Sequence, residues 1–175
     1  MRSPPTPSDP GAATPVPVPG LPTFDIATRL FDALLSLMPE RGAEGSRLLA
    51  LVRAVAKQSG TSGAPLEELS LYATAVVIGA LLESKRVFET PSLPAVSAVL
   101  GGHWKDAEPL LRPLLDGDEA VPTDKRGVVL TLCFSLAAHC DAVPATLAEA
   151  KAGLQRFTSS YPPAVIAALE AALSR

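Results

Sequence analysis

LEELSLYATAVVIGALLES, residues 66 to 84, is the stretch whose reading decides the fold. Pro65 precedes it as a favoured first helical residue, and Glu67 and Glu68 suit the positive end of a helix dipole. Leu71 to Leu82 then carry no charge, and Thr74 is the only plainly polar side chain among them. A helix that is apolar all round is buried all round. At about 1.5 Å per residue the uncharged run spans roughly 18 Å, short of the roughly 30 Å of a bilayer core. The expectation is a central helix inside a soluble all-α domain, without membrane insertion. The run offers no side chain suited to hold a metal or to move a proton.

Residues 1 to 22 hold eight prolines, at 4, 5, 7, 10, 15, 17, 19 and 22. Proline removes a backbone donor and locks φ, so a disordered or polyproline II tail is expected there. Its bare Pro-x-x-Pro spacings fit a ligand for a proline-reading domain as well as a plain tether. The rest, 23 to 175, reads as one domain, large enough to bury about 70% of its unfolded surface.

Seven or eight helices are expected in that domain. Thr23 is placed as the cap of a helix over about 24 to 39, with Ala27, Leu30, Phe31, Leu34 and Met38 at helical spacing. A second runs over about 44 to 59, burying Leu48, Val52, Val55 and Ala56, with Gly60 as its stop. Beyond the central helix come short ones over 95 to 100 and 104 to 115, the latter disturbed by Pro109 and Pro113. Thr123 is placed as the cap of a helix over about 124 to 142. Val128, Leu130, Leu132 and Phe134 alternate with smaller or polar residues there, which is strand-like, but length favours a helix. Thr146 to Glu149 form a capping box. Tyr161-Pro162-Pro163 opens the last helix.

The 15 Lys and Arg against 18 Asp and Glu give a formal charge of −3. Only Lys85-Arg86 and Lys125-Arg126 are adjacent basic pairs, so no stripe points to nucleic acid. Cys133 and Cys140 lie about 10 Å apart along one helix, beyond disulfide reach, which suits a reduced, cytoplasmic protein. The amino terminus lacks the apolar core of a secretory signal. His103 and His139 belong to no zinc or di-iron spacing, and no phosphate loop or nucleophile elbow occurs. No constellation supports acid–base or nucleophilic catalysis, and no cofactor is implied.

Three stretches resemble HD-GYP domains, the metal-dependent cyclic di-GMP phosphodiesterases of the HD superfamily. Ala43-Glu44-Gly45-Ser46-Arg47-Leu48 is similar to that family's Gly-His-Ser-x-Arg-Val helix. Leu66 to Leu82 is similar to its helix ending in Ala-Leu-Leu-His-Asp-Ile-Gly-Lys. Val121-Pro122, Arg126 to Leu136 and Pro144 to Ala168 resemble its carboxy-terminal run, with Tyr161 to Ile166 against Phe-Asp-Pro-x-Val-Val. The family's His-Asp pair falls on Ile78-Gly79, its first histidine on Glu44 and a later metal-binding aspartate on Leu132. The His-His-Glu and Gly-Tyr-Pro segment is absent.

The resemblance therefore implies a degenerate, HD-like scaffold in a bacterial signalling context, with Ile78 and Leu132 buried against one another where a metal would sit. Apolar side chains there stabilise a core better than unpaired polar ones. Gly79 should mark a close helix approach, since glycine in a helix costs about 1 kcal/mol. The leading expectation is a non-enzymatic scaffold module that binds another protein, or a second copy of itself as a homodimer. The alternative is a cyclic di-GMP receptor that does not hydrolyse its ligand. It would use Trp104 with Arg112, or Lys85 with Arg86, for stacking and phosphate contact. An enzyme of another type is the remaining alternative.

Overall fold

Eight α-helices and one 3-10 turn make up the regular structure among the described residues of the computed structural model, 23 to 117 and 121 to 174. The proline-rich segment 1 to 22 lies outside them. The helices are α1 (Thr23–Leu37), α2 (Pro39–Gln58), α3 (Ala64–Leu82), α4 (Leu93–Leu100), α5 (Trp104–Leu115), α6 (Lys125–Cys140), α7 (Leu147–Phe157) and α8 (Pro163–Leu173). The 3-10 turn, Gly101–His103, leads into α5. No strand occurs among the described residues, and the domain is all-α, as its sequence pattern requires.

Every residue of α3 from Leu71 to Leu81 is buried. Leu82 breaks the expectation of burial along the whole run, being 53% exposed. The helix is 19 residues long, about 28 Å. By length and composition alone it could cross a membrane, but 67% of its most apolar window is buried inside the domain. It packs on α1, α2, α4 and α6. It is not the sole centre. Gly127 to Phe134 of α6 are likewise all buried, and α2 touches α1, α3, α6 and α8. Burial on every side explains the strand-like pattern of 128 to 135. Alternation carries no information in a helix with no solvent face.

Several helix ends differ from the expected ones. α1 begins at Thr23 itself rather than after it, and ends at Leu37. α2 starts at Pro39, not near Glu44, because Pro39 occupies a first-turn position where its missing N–H costs nothing. Asp124, not Thr123, caps α6: its carboxylate accepts from the Arg126 N–H at 2.8 Å. The capping box at Thr146 holds, with the Glu149 N–H donating to Oγ1 at 3.3 Å, but the Glu149 carboxylate accepts from the Ala145 N–H. Pro109 and Pro113 sit inside α5 without ending it.

Ion pairs tie the buried helices at their rims. Arg53 of α2 donates to Glu67 at 2.8 Å and to Ser70 at 3.0 Å. Arg126 of α6 donates to Glu68 at 2.7 Å. The two glutamates at the start of α3 therefore each hold an arginine besides facing the helix dipole. Exposed pairs of this kind contribute about 0–1 kcal/mol each. They orient α2 and α6 on α3 more than they stabilise it.

Candidate functional site

The former-site positions of the HD-like reading are packing or pairing residues. Ile78 and Leu132 have no exposed surface, and their helices, α3 and α6, touch. Gly79 faces α4. A Cβ built on it would stand 3.1 Å from Val96 Cγ2 and 3.2 Å from Pro91 Cβ. Glu44, on α2, accepts a hydrogen bond from Arg86 Nη2 at 3.2 Å. Among the described residues no group of three or more His, Cys, Asp and Glu is placed to hold a metal ion.

Arg86 is the junction of that corner. Besides Glu44 it donates to the Asp141 carboxylate at 2.5 Å and to the Asp141 carbonyl at 2.8 Å. Its guanidinium carbon lies 4.4 Å from the centroid of the Phe88 ring. One side chain thus links α2, the segment after α3 and the end of α6. Lys85 donates to the Thr90 carbonyl and pairs with Glu83, each at 2.9 Å. The Glu83 carboxyl is held down to about 2, first by hydrogen bonding from Ser92 and then by Lys85.

Trp104 is half-buried against the core, and Arg112 is engaged by Glu108 on its own helix and by Asp116 just past that helix's end. The cations expected to meet phosphates are already matched with carboxylates. The partners of Lys85 and Arg112 are near them in sequence, at helical spacing for Arg112, whereas Glu44 and Asp141 lie far from Arg86 along the chain and could not be read there.

Both thiols are free. Burial pushes Cys133 up to about 12, so it is neither a nucleophile nor a ligand near neutral pH. Cys140 is also raised, by burial first and by Glu149 second.

Two features remain that could meet another molecule. The first is the outer flank of α1. Ala27, Phe31 and Leu34 face the core. Ile26, Leu30, Ala33 and Leu37 recur at intervals of four, three and four, the spacing of a helix-pairing seam. Ile26 is 50% and Leu37 77% exposed. Leu30 is half-buried and Ala33 exposed. Arg41 of α2 donates to the Ser84 carbonyl at 2.9 Å, so exposed Leu82 stands at the same end of the molecule as Leu37.

The second is a cleft of about 430 Å³ bounded by parts of α5, α6 and α7, by Tyr161 and by the segment holding Phe88. Its polar wall includes Thr131, Ser135 and Tyr161. The Tyr161 hydroxyl has its pKa raised chiefly by burial, with Ser135 acting in the opposite direction. His139, Phe157 and Tyr161 form an edge-to-face chain, with ring centroids 6.0 Å and 5.8 Å apart. Its residues come from separate segments and form no motif, so sequence reading missed it.

No family model, no curated protein and no solved structure matches the chain.

Proposed function

We propose that this chain is a non-enzymatic helical module that binds a protein partner, contacting it along the outer flank of α1. The seam of Ile26, Leu30, Ala33 and Leu37 carries this reading. Polar residues would be expected on the solvent side of a surface helix, and a sustained apolar seam fits an amphipathic helix of a partner. The likeness of three stretches to HD-GYP domains supports it further. The positions that would carry ligands there hold Ile78, Gly79 and Leu132, which serve packing here. The cyclic di-GMP alternative draws less support, since Arg86 and Arg112 are engaged by carboxylates.

The test compares three tagged baits: the full chain, residues 23 to 175, and the full chain with Ile26→Glu and Leu37→Glu. Both substituted side chains are at least half exposed, so the double variant should melt within a few degrees of the parent, as exposed substitutions usually cost no more than about 0.5 kcal/mol. A partner retained by the first two baits and lost from the third is the expected result. Sedimentation of the purified chain, with and without the two substitutions, identifies a second copy if that is the partner. Retention by the double variant, or a requirement for residues 1 to 22, would remove α1 from the account.

A further inference from the structure

The hydroxyl of Thr131 is the anomaly from which this inference starts. Thr131 is 5% exposed, and its Oγ1 is buried without a hydrogen-bond partner. A threonine within a helix ordinarily donates to the carbonyl one turn back. Thr74 does so on α3, at 2.7 Å to the Ser70 carbonyl, and Ser46 and Ser70 do the same on their helices. Thr131 does not, and it lines the cleft. A buried hydroxyl left unpaired is costly, by about 1–3 kcal/mol. Thr131 lines the cleft while this atom has almost no accessible surface, so a molecule there would remove that cost once the side chain takes the other rotamer open to a helical threonine.

The walls say which chemistry fits. Phe88, Phe134, Phe157 and Tyr161 contribute rings, which suit a flat apolar body. Arg156 and His139 are exposed lining residues and stand at the mouth. Arg156 has no hydrogen bond or ion pair among the described residues, unlike Arg53, Arg86, Arg112 and Arg126. None of the described lining residues is Asp or Glu. The volume lies in the range of small-molecule sites, about 300–1,000 Å³.

We infer that the cleft between α5, α6 and α7 binds a small aromatic monocarboxylate, its ring among the four aromatic side chains, its carboxylate on Arg156 and one polar atom on the Thr131 hydroxyl. No covalent step is involved. The site is separate from the α1 seam, so it stands or falls independently of the partner reading.

The experiment is a titration of the full chain, followed by amide NMR and calorimetry, with three probes of one shape: 2-naphthoate, 2-naphthalenemethanol and 2-naphthylmethylamine. The expected order is carboxylate first, then alcohol, then ammonium, with naphthoate binding at about 1 mM or tighter. Arg156→Gln should weaken naphthoate about tenfold and leave the alcohol unchanged. Thr131→Val has nearly the same shape and removes the unpaired hydroxyl. It should fold at least as stably as the parent, yet bind about tenfold more weakly. The proposal is overturned if no amide of α6 or α7 shifts at about 2 mM naphthoate. It is equally overturned if the alcohol or the amine binds as tightly as naphthoate, or if both variants bind like the parent.

Discussion

Leu132→Asp should cost this domain roughly 3–5 kcal/mol, a large part of the 5–15 kcal/mol that holds a typical domain folded. Leu132 has no exposed surface and stands on α6 between residues that are themselves buried. A carboxylate there loses its hydration, and Val129, Leu130, Cys133 and Phe134 around it on the helix offer it no cation. At about 2–4 °C per kcal/mol the melting temperature should fall by roughly 6–20 °C. The pH dependence gives a second signature. Burial raises the folded-state pKa of the new carboxyl above its unfolded value. The folded variant then binds the proton more tightly, so its deficit is smallest in acid and widens as pH rises through that raised value. Leu132→Met, which keeps the volume, should cost less than about 1.5 kcal/mol. A Leu132→Asp protein that melts like the parent would place this residue at the surface.

Gly79→Leu is the second large effect, expected at about 1–3 kcal/mol. Its cause is crowding, not charge. The Cβ alone would come within 3.1 Å of Val96 and 3.2 Å of Pro91, so even alanine is tight. Leucine adds three more carbons where α4 and Pro91 already sit. The backbone of α4 must move away from α3, because Val96 is itself wholly buried and has nowhere to turn. Gly79→Ala separates the terms: the gain of about 1 kcal/mol in helix propensity should offset much of the milder contact. Thermal unfolding of the pair is the measurement. Equal melting temperatures for alanine and leucine would mean that α4 does not rest on Gly79.

The helix α3 is legible in sequence because its signal is an absence: no charge from Leu71 to Leu82 leaves no solvent face to predict. Its last residue, Leu82, is exposed, and nothing in the run marks it as different from Leu81. Helix starts are legible only where one cap dominates. Thr146 has Glu149 at the right spacing, but Thr123 and Asp124 are adjacent capping residues, and only backbone geometry chooses Asp124. Pro39 was a usable signal for the start of α2 that the apolar spacing of Leu48, Val52 and Val55 overshadowed.

The outer seam of α1 was also present in sequence. Reading only the stripe that runs through Ala27, Leu30, Phe31, Leu34 and Met38 hides Ile26 and Leu37 beside it. The cleft was not legible at all. Phe88, Thr131, Arg156 and Tyr161 meet only after four segments have folded, and an unpaired hydroxyl is invisible until its neighbours are placed. The pairing of Arg86 with Glu44 and Asp141 has the same character.

Ile78 of α3 and Leu132 of α6 belong, on this account, to a sealed interior that opens only when the whole domain unfolds. Native-state hydrogen exchange along the chain tests it most directly. The amides of Val76 to Ala80 and Val129 to Phe134 should exchange only through global unfolding, with the full unfolding free energy and its denaturant dependence, while amides of α1 open at lower cost. If the Ile78 or Leu132 amide instead exchanged through a local opening several kcal/mol below the global value, the interior would not be sealed and the account would be contradicted.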